Sequence, residues 1–471
     1  MPSPRPAGGW PSLVQPCRSP TLAAVSRDAP PLVVRSVGSG TTAVAGPDAV
    51  GRDEARLDEA ATTVLERLPP AGQPHPTDVL PLPGRERRPR RLAHHVRQVL
   101  AGLVLLVLAV VGWSLGHALG KNNSDPLVAK TAEWARDHHL GPVVSFLEQR
   151  QYDLNKPRTG GTVAGGARVG GDAPLLNAPT STVTHARSGT PRPRTPLPAP
   201  LRPFGSAVLD EGRWHTLASV GGRPALLGTA LKPDTVHTSY LATVAWMDPR
   251  LLRLELRPGT EDPGATFPRF APRLEPGERD LVAAFNAGFR LTGESQGGFY
   301  LDGVESRTLR DGAASLVIRR DGSATVGQWG RDVGRGPQVL AVRQNLKLLV
   351  DAGTVAPTVD DGNSPTWGFT LYGTNYQWRS AVGVTAAGAL LYVDGPALST
   401  RTLAEVLVRA GAVRAMELDI NPQWTHFDYF PDANGGAAPQ RLNDGQQTPP
   451  DHYLVGNSSR DFFAVFARVG R

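Results

Sequence analysis

Residues 379–424 read RSAVGVTAAGALLYVDGPALSTRTLAEVLVRAGAVRAMELDINPQW, a pattern that predicts a strand, a helix and a second strand. The apolar run Ala389–Val393 forms the first predicted strand and is followed by Asp394-Gly395. One face of the predicted helix carries the apolar residues Leu403, Val406, Leu407 and Ala410, with Ser399 or Thr400 as N-cap and Gly411 as stop. This segment fixes the fold class that we expect, a mixed α/β domain.

Acidic residues follow both predicted strands. In the second strand Met416, Leu418 and Ile420 alternate with Ala415, Glu417 and Asp419, so the two carboxylates share one face. A right-handed crossover would bring Asp394 and Asp419 to the same edge of a sheet, where open α/β sheets place their sites. The sequence therefore predicts a cluster of acids at this edge. The alternative is a set of solvated or salt-bridged surface acids.

The net charge of +7 does not indicate a nucleic-acid partner. From residue 201 onward 27 Lys and Arg face 28 Asp and Glu, so this part is close to neutral and the basic excess lies before it. Cys17 is the single cysteine, which excludes an intrachain disulfide and a cysteine-based metal site. We therefore expect no nucleic acid among the partners.

The first half of the chain predicts a membrane anchor. Residues 1–84, rich in Pro, Gly, Ala and Ser, predict a disordered cytoplasmic tail, and 85–97 is a basic segment. Residues 98–120 lack Asp, Glu, Lys and Arg and are long enough to cross about 30 Å of hydrocarbon. The arginines before this span place the N-terminus in the cytoplasm and the rest outside. A cleaved signal peptide and a buried core helix are the alternatives.

The remainder predicts a juxtamembrane amphipathic helix at 121–158, a Gly- and Pro-rich linker at 159–203 and a folded domain at 204–471. Strand patterns dominate this domain. They include Tyr240–Met247 and Leu251–Leu256, a candidate hairpin, and Ser315–Arg319 and Ala324–Gln328, joined by a tight turn at Arg320-Asp321-Gly322. We expect one strand-rich α/β domain with a mixed sheet and a strand–helix–strand unit near the C-terminus.

Three further clusters carry residues of chemical interest. Residues 284–303 combine a Gly-rich turn with Glu294 and Arg290, a carboxylate and a bidentate anion donor. Residues 362–380 concentrate aromatic rings before Arg379, a combination that suits sugar rings and a phosphate. Asp360, Asp361 and Asn363 just before them form a possible site for a divalent cation. The alternative for residues 284–303 is a Gly-rich hairpin loop, and the alternative for residues 362–380 is an ordinary packed hairpin with its rings in the core.

The third cluster follows the second acidic strand. Asn421, Trp424 and His426 stand directly after Asp419, at the expected edge of the site. A histidine there suits proton transfer, although a hydrogen-bonded loop residue is the alternative. No Ser-His-Asp order and no H-E-x-x-H motif supports a protease.

The order of these motifs resembles that of the phosphodiester glycosidase family, whose animal member removes N-acetylglucosamine from a sugar phosphodiester. The matching elements are FNAGFRLTGE (285–294), Asp302-Gly303, IRRDG (318–322), RSAVGVTAAGALLYVDG (379–395) and LAEVLVRAGAVRAMELD (403–419). The resemblance covers roughly residues 281–425. It implies a hydrolase that acts on a phosphorylated glycan or cell-wall polymer.

Carried over by position, the resemblance places these residues in or near the active site: Asn286, Gly288, Phe289, Glu294, Arg379, Asp394 and Asp419. We add Glu417 as a catalytic candidate, and Arg290, Asn421, Trp424 and His426 as candidate substrate ligands. One departure stands out: the family's Leu-Asp-Gly-Gly-Gly-Ser is replaced by residues 418–424, LDINPQW. A bulkier loop replaces a flexible one, so the alternative function is a non-catalytic glycan-binding or scaffolding protein.

Overall fold

The structure, a computed structural model, describes residues 90–163, 166–167, 169, 195–264, 266–291, 295–361, 366–367, 376–431 and 438–468. The predicted tail 1–84 and the candidate residue Glu294 lie outside these ranges, as does Asn363 of the possible cation site. The statements below concern the described residues.

Helices are few. They are α1 (Arg90–Leu119), α2 (Leu127–Asp137), α3 (Gly141–Asn155), α4 (Thr400–Arg409) and α5 (His452–Val455), with one 3-10 turn at Pro357–Asp360. The strands are β1 (His215–Val220), β2 (Arg223–Leu231), β3 (Ala242–Met247), β4 (Leu252–Arg257), β5 (Leu281–Asn286), β6 (Phe299–Leu301), β7 (Val304–Arg307), β8 (Ala314–Arg319), β9 (Ala324–Gln328), β10 (Val339–Gln344), β11 (Leu348–Asp351), β12 (Thr354–Val355), β13 (Gln377–Thr385), β14 (Leu390–Leu398), β15 (Ala412–Glu417), β16 (Phe427–Tyr429), β17 (Gln440–Arg441) and β18 (Phe462–Ala467). The strand-rich α/β class is confirmed.

The strands form three sheets. The largest has the order β1-β2-β3-β14-β13-β15-β11-β12, the second β7-β6-β10-β8-β9 and the third β17-β16-β5-β18-β4. Neighbouring strands within them pair antiparallel, as in the predicted hairpin of β8 and β9, which is confirmed. The predicted hairpin of β3 and β4 is wrong. β3 is buried along its length between β2 and β14, so it has no free edge and β4 pairs with β18 instead.

The predicted strand–helix–strand unit consists of β14, α4 and β15, with β13 between the two strands and antiparallel to both. Ser399 caps α4: its hydroxyl accepts from the Thr402 amide, and the Thr402 side chain accepts from the Ser399 amide. Gly411, at φ 91°, ends the helix in a conformation that suits glycine. β14 runs past Asp394 to Leu398, further than the apolar run predicts, because Gly395 still pairs with Arg379.

Two apolar cores lie on opposite faces of the large sheet. Tyr392, Val382 and Met416 face a core that includes Phe285 and Phe427 of the third sheet, whose rings stack at 5.5 Å. The neighbouring residues of the same strands face α4, at positions that include Val393, Ala381 and Ala415. Alternation along these strands therefore decides on which face each candidate acid lies.

Residues before 204 contribute to the folded body. Ala167 and Val169 are buried in the core, and the Thr195 hydroxyl donates to Asp248 at 2.6 Å. The boundary at 204 stays a prediction. Further upstream, α1 contains the one stretch among the described residues, His94–Leu119, that is long and apolar enough to cross a membrane.

Candidate active site

A buried ion pair joins β13 and β15. Nη1 of Arg379 lies 2.5 Å from Oε1 of Glu417, and Arg379 Nε donates to the Leu398 carbonyl at 3.0 Å. Glu417 Oε2 has no hydrogen-bond partner among the described residues. Burial raises the pKa of Glu417, Arg379 partly offsets this, and the nearby Asp419 raises it further. The pair thus places a carboxylate of elevated pKa two positions before Asp419.

Asp394 lies on the other face of the same sheet. It pairs with Ser380, whereas Glu417 pairs with Ala381, and adjacent residues of β13 point to opposite faces. Asp394 Oδ1 accepts from the Thr243 hydroxyl and from Asn443 Nδ2, the latter at 3.3 Å. The sheet therefore separates Asp394 from the Arg379–Glu417 pair. Asp394 and Glu417 therefore lie at nearly the same position along their strands, as predicted, but on opposite faces of the sheet.

Burial raises the pKa of Asp394 to about 7, although Thr243 and Asn443 act in the opposite direction. An acid that is harder to ionise in the fold contributes stability that is fully present below its ordinary pKa, about 4, and is lost as the pH rises through about 7. We expect Asp394→Asn to flatten this fall, as measured by urea unfolding between pH 4 and 8. Asp444→Asn, at an exposed acid nearby, should leave the fall unchanged and serves as the control. An unaltered pH profile in Asp394→Asn would contradict the assignment.

Asp419 contacts an arginine that sequence reasoning missed. Asp419 Oδ2 lies 3.1 Å from Arg460 Nη1, and Arg460 Nη2 lies 3.1 Å from Oε1 of Glu133 in α2. The guanidinium also lies 4.3 Å from the ring centre of Trp424, a cation–π distance. Burial lowers the pKa of Arg460, and Asp419 and Glu133 more than offset this. Two carboxylates, one guanidinium and one indole thus meet at the end of the large sheet.

The loop that replaces the family's Gly-rich turn is held by its own side chains. Asp419 Oδ1 accepts from the Asn421 amide at 2.8 Å, and Asn421 Oδ1 accepts from the Gln423 amide at 2.9 Å. These are two successive Asx turns, in which a short side chain replaces a backbone acceptor. The turns direct Trp424 inward, where it is buried beneath Arg460. The loop thus presents Arg460 to Asp419.

Asn286 joins four segments. Its Nδ2 donates to Ser380 Oγ at 3.0 Å, and its Oδ1 accepts from the Tyr392 hydroxyl at 2.9 Å and from the His426 amide at 3.2 Å. It is buried. In this structure the amide of Asn286 is used in the fold, and its predicted contact with substrate stays a prediction.

The turn after β5 packs tightly against β10. A Cβ on Gly288 would lie 2.8 Å from the Asn345 side chain, so any residue larger than glycine at this position would clash. The Phe289 amide donates to Asn345 Oδ1, and its carbonyl accepts from Arg343 Nη2 at 2.6 Å. Arg290 points the other way, toward α2, with Nη1 3.8 Å from Asp137 Oδ1. Arg290 therefore faces the side of the molecule where Arg460 meets α2.

His426 is buried and neutral. Its Nδ1 donates to the Trp424 carbonyl at 3.0 Å, so Nε2 is the acceptor, 4.0 Å from Asp428 Oδ2. Burial lowers the pKa of His426 well below the ordinary value for histidine. It also raises the pKa of Asp428 well above the ordinary value for aspartate. The His426 ring packs beside Tyr453, at 4.9 Å between centroids, and its predicted contact with substrate stays a prediction.

The structure thus brings together some of the predicted residues and separates others. Arg379, Glu417, Asp419 and Trp424 lie at one end of the sheet, whereas Asp394 lies on the opposite face. Arg460 and Glu133 were missed. The signal for Arg460 was a charged dipeptide, Arg460-Asp461, directly before the apolar strand β18. Among the described residues no group of three or more His, Cys, Asp or Glu could hold a metal ion, and the predicted divalent cation stays a prediction.

Comparison with known proteins gives one family and several distant structures. Residues 279–419 match the model of the phosphodiester glycosidase family. No curated protein matches the sequence. The catalytic domain of zebrafish N-acetylglucosamine-1-phosphodiester alpha-N-acetylglucosaminidase is 14% identical, with a TM-score of 0.35 over 54% of this chain and 88% of that chain. A hypothetical protein from Synechocystis is 14% identical, with a TM-score of 0.30 over 52% and 63%.

These two structural likenesses are too weak to carry an argument. The family match does not depend on them, and it contains Arg379, Asp394 and Glu417 and ends at Asp419. Residues 279–419 of this chain are therefore the segment that matches the phosphodiester glycosidase family.

Proposed function

We propose that this protein is a membrane-anchored, extracytoplasmic hydrolase that cleaves a sugar-1-phosphate phosphodiester in a cell-envelope or exported glycan. The family match supports a hydrolase acting on phosphodiester-linked sugars. The observation that carries the proposal is the contact of Asp419, the last residue of the matched segment, with Arg460 at 3.1 Å. A carboxylate beside a guanidinium supplies both groups that hydrolysis of a phosphodiester-linked sugar needs.

Each group has a role in this scheme. Arg460 binds the phosphate, since guanidinium forms paired hydrogen bonds with phosphate oxygens. Asp419 acts either as the base that takes a proton from the attacking water or as the nucleophile at the anomeric carbon. The bond from that carbon to the phosphate oxygen breaks, water supplies the new hydroxyl and gives up one proton to a carboxylate, and the phosphate leaves with the electron pair. Arg379 holds Glu417 in place behind Asp419, a positioning role that suits its burial.

The anchor and its orientation belong to the same proposal. The arginine-rich segment 85–97 precedes the apolar helix, and Lys121 follows it, which favours a cytoplasmic N-terminus. A C-terminal reporter that works only outside the cytoplasm should be active. Activity of a reporter confined to the cytoplasm would overturn the orientation.

The test is incubation of the full chain, purified in detergent, with a panel of sugar-1-phosphate diesters that includes N-acetylglucosamine-1-phosphate esters. The full chain is needed because Ala167 and Val169, which precede the predicted domain, are buried in its core. We expect release of free sugar. The absence of release across the panel would overturn the hydrolase.

A non-catalytic glycan-binding protein is the second candidate. It is favoured by the engagement of both Asp419 oxygens, one with the Asn421 amide and one with Arg460, and by the capping of Arg460 by Glu133. Tight binding of panel compounds without any turnover would establish it.

Glu133 must give up part of its contact with Arg460 when phosphate binds, because both are anions that use the same guanidinium. We expect Glu133→Gln to lower the KM for a soluble phosphodiester by roughly 3- to 10-fold. This is the change in affinity expected when one charge pair that is mostly shielded from water is weakened. The value of kcat should change little, because Glu133 does not contact the reacting carbon in the scheme above. Glu405→Gln, at an exposed pair with Arg401, is the matched control. An unchanged or higher KM in Glu133→Gln would contradict this competition.

A further inference from the structure

The helices that follow α1 place the candidate site at the level where α1 leaves the membrane. Trp134 Nε1 of α2 donates to Ser114 Oγ of α1 at 3.0 Å, and His138 Nε2 lies 3.1 Å from the same oxygen. The residue next to Trp134 is Glu133, which pairs with Arg460. One turn of α2 therefore contacts the apolar helix on one side and the site on the other.

The depth of this contact follows from the length of α1. The apolar stretch His94–Leu119 has 26 residues, roughly 39 Å at about 1.5 Å per residue, against about 30 Å of hydrocarbon. Ser114 lies five residues before the end of the stretch, roughly 7 Å inward, which is close to the outer hydrocarbon boundary. Trp113, next to it, is 75% exposed, as expected of an aromatic residue at a membrane interface.

Helix α3 begins at this same level and exposes an apolar stripe. His138, in contact with Ser114, stands three residues before Gly141, where α3 starts. Val143, Phe146, Leu147 and Leu154 follow the spacing of one helical face and are 53%, 54%, 60% and 85% exposed. The guanidinium of Arg150, on the same stripe, lies 5.7 Å from the Phe146 ring centre. In the headgroup layer these apolar side chains would be removed from water, and Arg150 would lie beside lipid phosphates.

We propose that α3 lies in the outer membrane interface and holds the site there for a phosphodiester whose phosphate joins the sugar to a membrane lipid. This rests on the proposed function and names its substrate class. Helix α3 follows α2, whose Trp134 contacts Ser114 of α1, so the occupant that fits its stripe is the bilayer that α1 spans in this proposal. The phosphate of such a lipid lies in the headgroup layer, within about one helix diameter, roughly 10 Å, of the level of Glu133.

The reaction is the hydrolysis proposed for Asp419 and Arg460, with a lipid phosphate as the leaving group. Water adds to the anomeric carbon, the bond to the phosphate oxygen breaks, and the lipid phosphate monoester leaves with the electron pair. The free sugar departs into water, and the lipid stays in the bilayer. Arg460, paired with Glu133 at this level, meets the phosphate without lifting the lipid out of the membrane.

The test compares two esters of one sugar phosphate, the one that the panel shows to be hydrolysed fastest. The full chain is reconstituted in vesicles of phosphatidylcholine and phosphatidylglycerol and given either the dodecyl or the methyl phosphodiester. We expect Phe146→Glu with Leu147→Glu to lower turnover of the dodecyl ester by roughly 10-fold and to leave the methyl ester unchanged. Leu209→Glu, at an apolar residue that is 63% exposed elsewhere, is the matched control and should affect neither ester.

A second measurement does not depend on activity. Cys17 is the single cysteine, so Cys17→Ser combined with Phe146→Cys or Leu209→Cys gives one site for a spin label. The label at 146 should show the oxygen accessibility of the membrane interface, and the label at 209 that of water. A label at 146 in water would overturn the placement of α3. Equal effects of the double variant on both esters would overturn the substrate class while the proposed hydrolase stands, and no turnover of either ester would overturn the hydrolase and the substrate class together.

Discussion

Replacing Arg343 by Met is expected to lower the free energy of unfolding by about 3–5 kcal/mol, the cost of leaving a buried charge without its partner. Arg343 is fully buried; its Nε lies 2.6 Å from Asp461 Oδ2, and its Nη2 3.2 Å from Asp461 Oδ1. The same guanidinium donates to the Phe289 carbonyl, so the change also frees the turn after β5. Urea unfolding of the full chain in detergent, followed by tryptophan fluorescence and near-UV circular dichroism, measures the effect.

Two controls separate the buried pair from a general effect of losing an arginine. Arg273→Met removes an exposed pair with Glu275 and should change stability little, since such pairs are screened by water. Arg343→Met combined with Asp461→Leu removes both charges and should recover part of the loss. If Arg343→Met were no more harmful than Arg273→Met, the pair would not hold the turn.

Asp419→Asn is expected to lower kcat by roughly 10²- to 10⁴-fold, the range for losing a positioned acid–base group. The asparagine has nearly the shape of aspartate and keeps an oxygen for the Asn421 amide, so the loop should stay in place. Release of sugar from the best panel compound measures the rate, and near-UV circular dichroism checks the fold. Asp302→Asn is the matched control, since Asp302 belongs to another family motif and forms exposed pairs with Arg269 and Arg320.

A rate within threefold of the parent in Asp419→Asn would contradict the role of Asp419. Arg379→Ala is a poorer test of chemistry, because it leaves Glu417 buried without its partner and is expected to destabilise the fold. Loss of activity in that variant would combine two causes, whereas Asp419→Asn separates them.

Local patterns predicted the elements of the fold well. The apolar face of α4 is a property of neighbouring residues and is found as expected, whereas the strand predicted through Ile420 ends at Glu417 and its burial does not alternate. The candidate hairpin of β3 and β4 failed because pairing depends on distant strands: β2 and β14 occupy both edges of β3. The insertion of β13 between β14 and β15 was hidden for the same reason.

The candidate site was predicted in part. Sequence spacing places Glu417 and Asp419 near each other, because Asp419 follows the end of β15 at Glu417 by two residues. Sequence spacing does not place Asp394 relative to them, because its position depends on how β13 pairs with β14 and β15. Asp394 of β14 pairs with Ser380, whereas Glu417 of β15 pairs with Ala381, the next residue of β13. Arg460 lies 41 positions after Asp419 in a short polar turn, where one arginine gives no periodic signal.

The network around Asn286 bears on how this protein can change in evolution. One amide ties β5, β13 and β14 to the loop before β16, so none of these segments shifts alone. Because these segments can move only together, they tolerate few substitutions and offer little room for a new substrate specificity. New substrates are therefore expected to arise through α2, whose Glu133 contacts Arg460 and belongs to none of these segments.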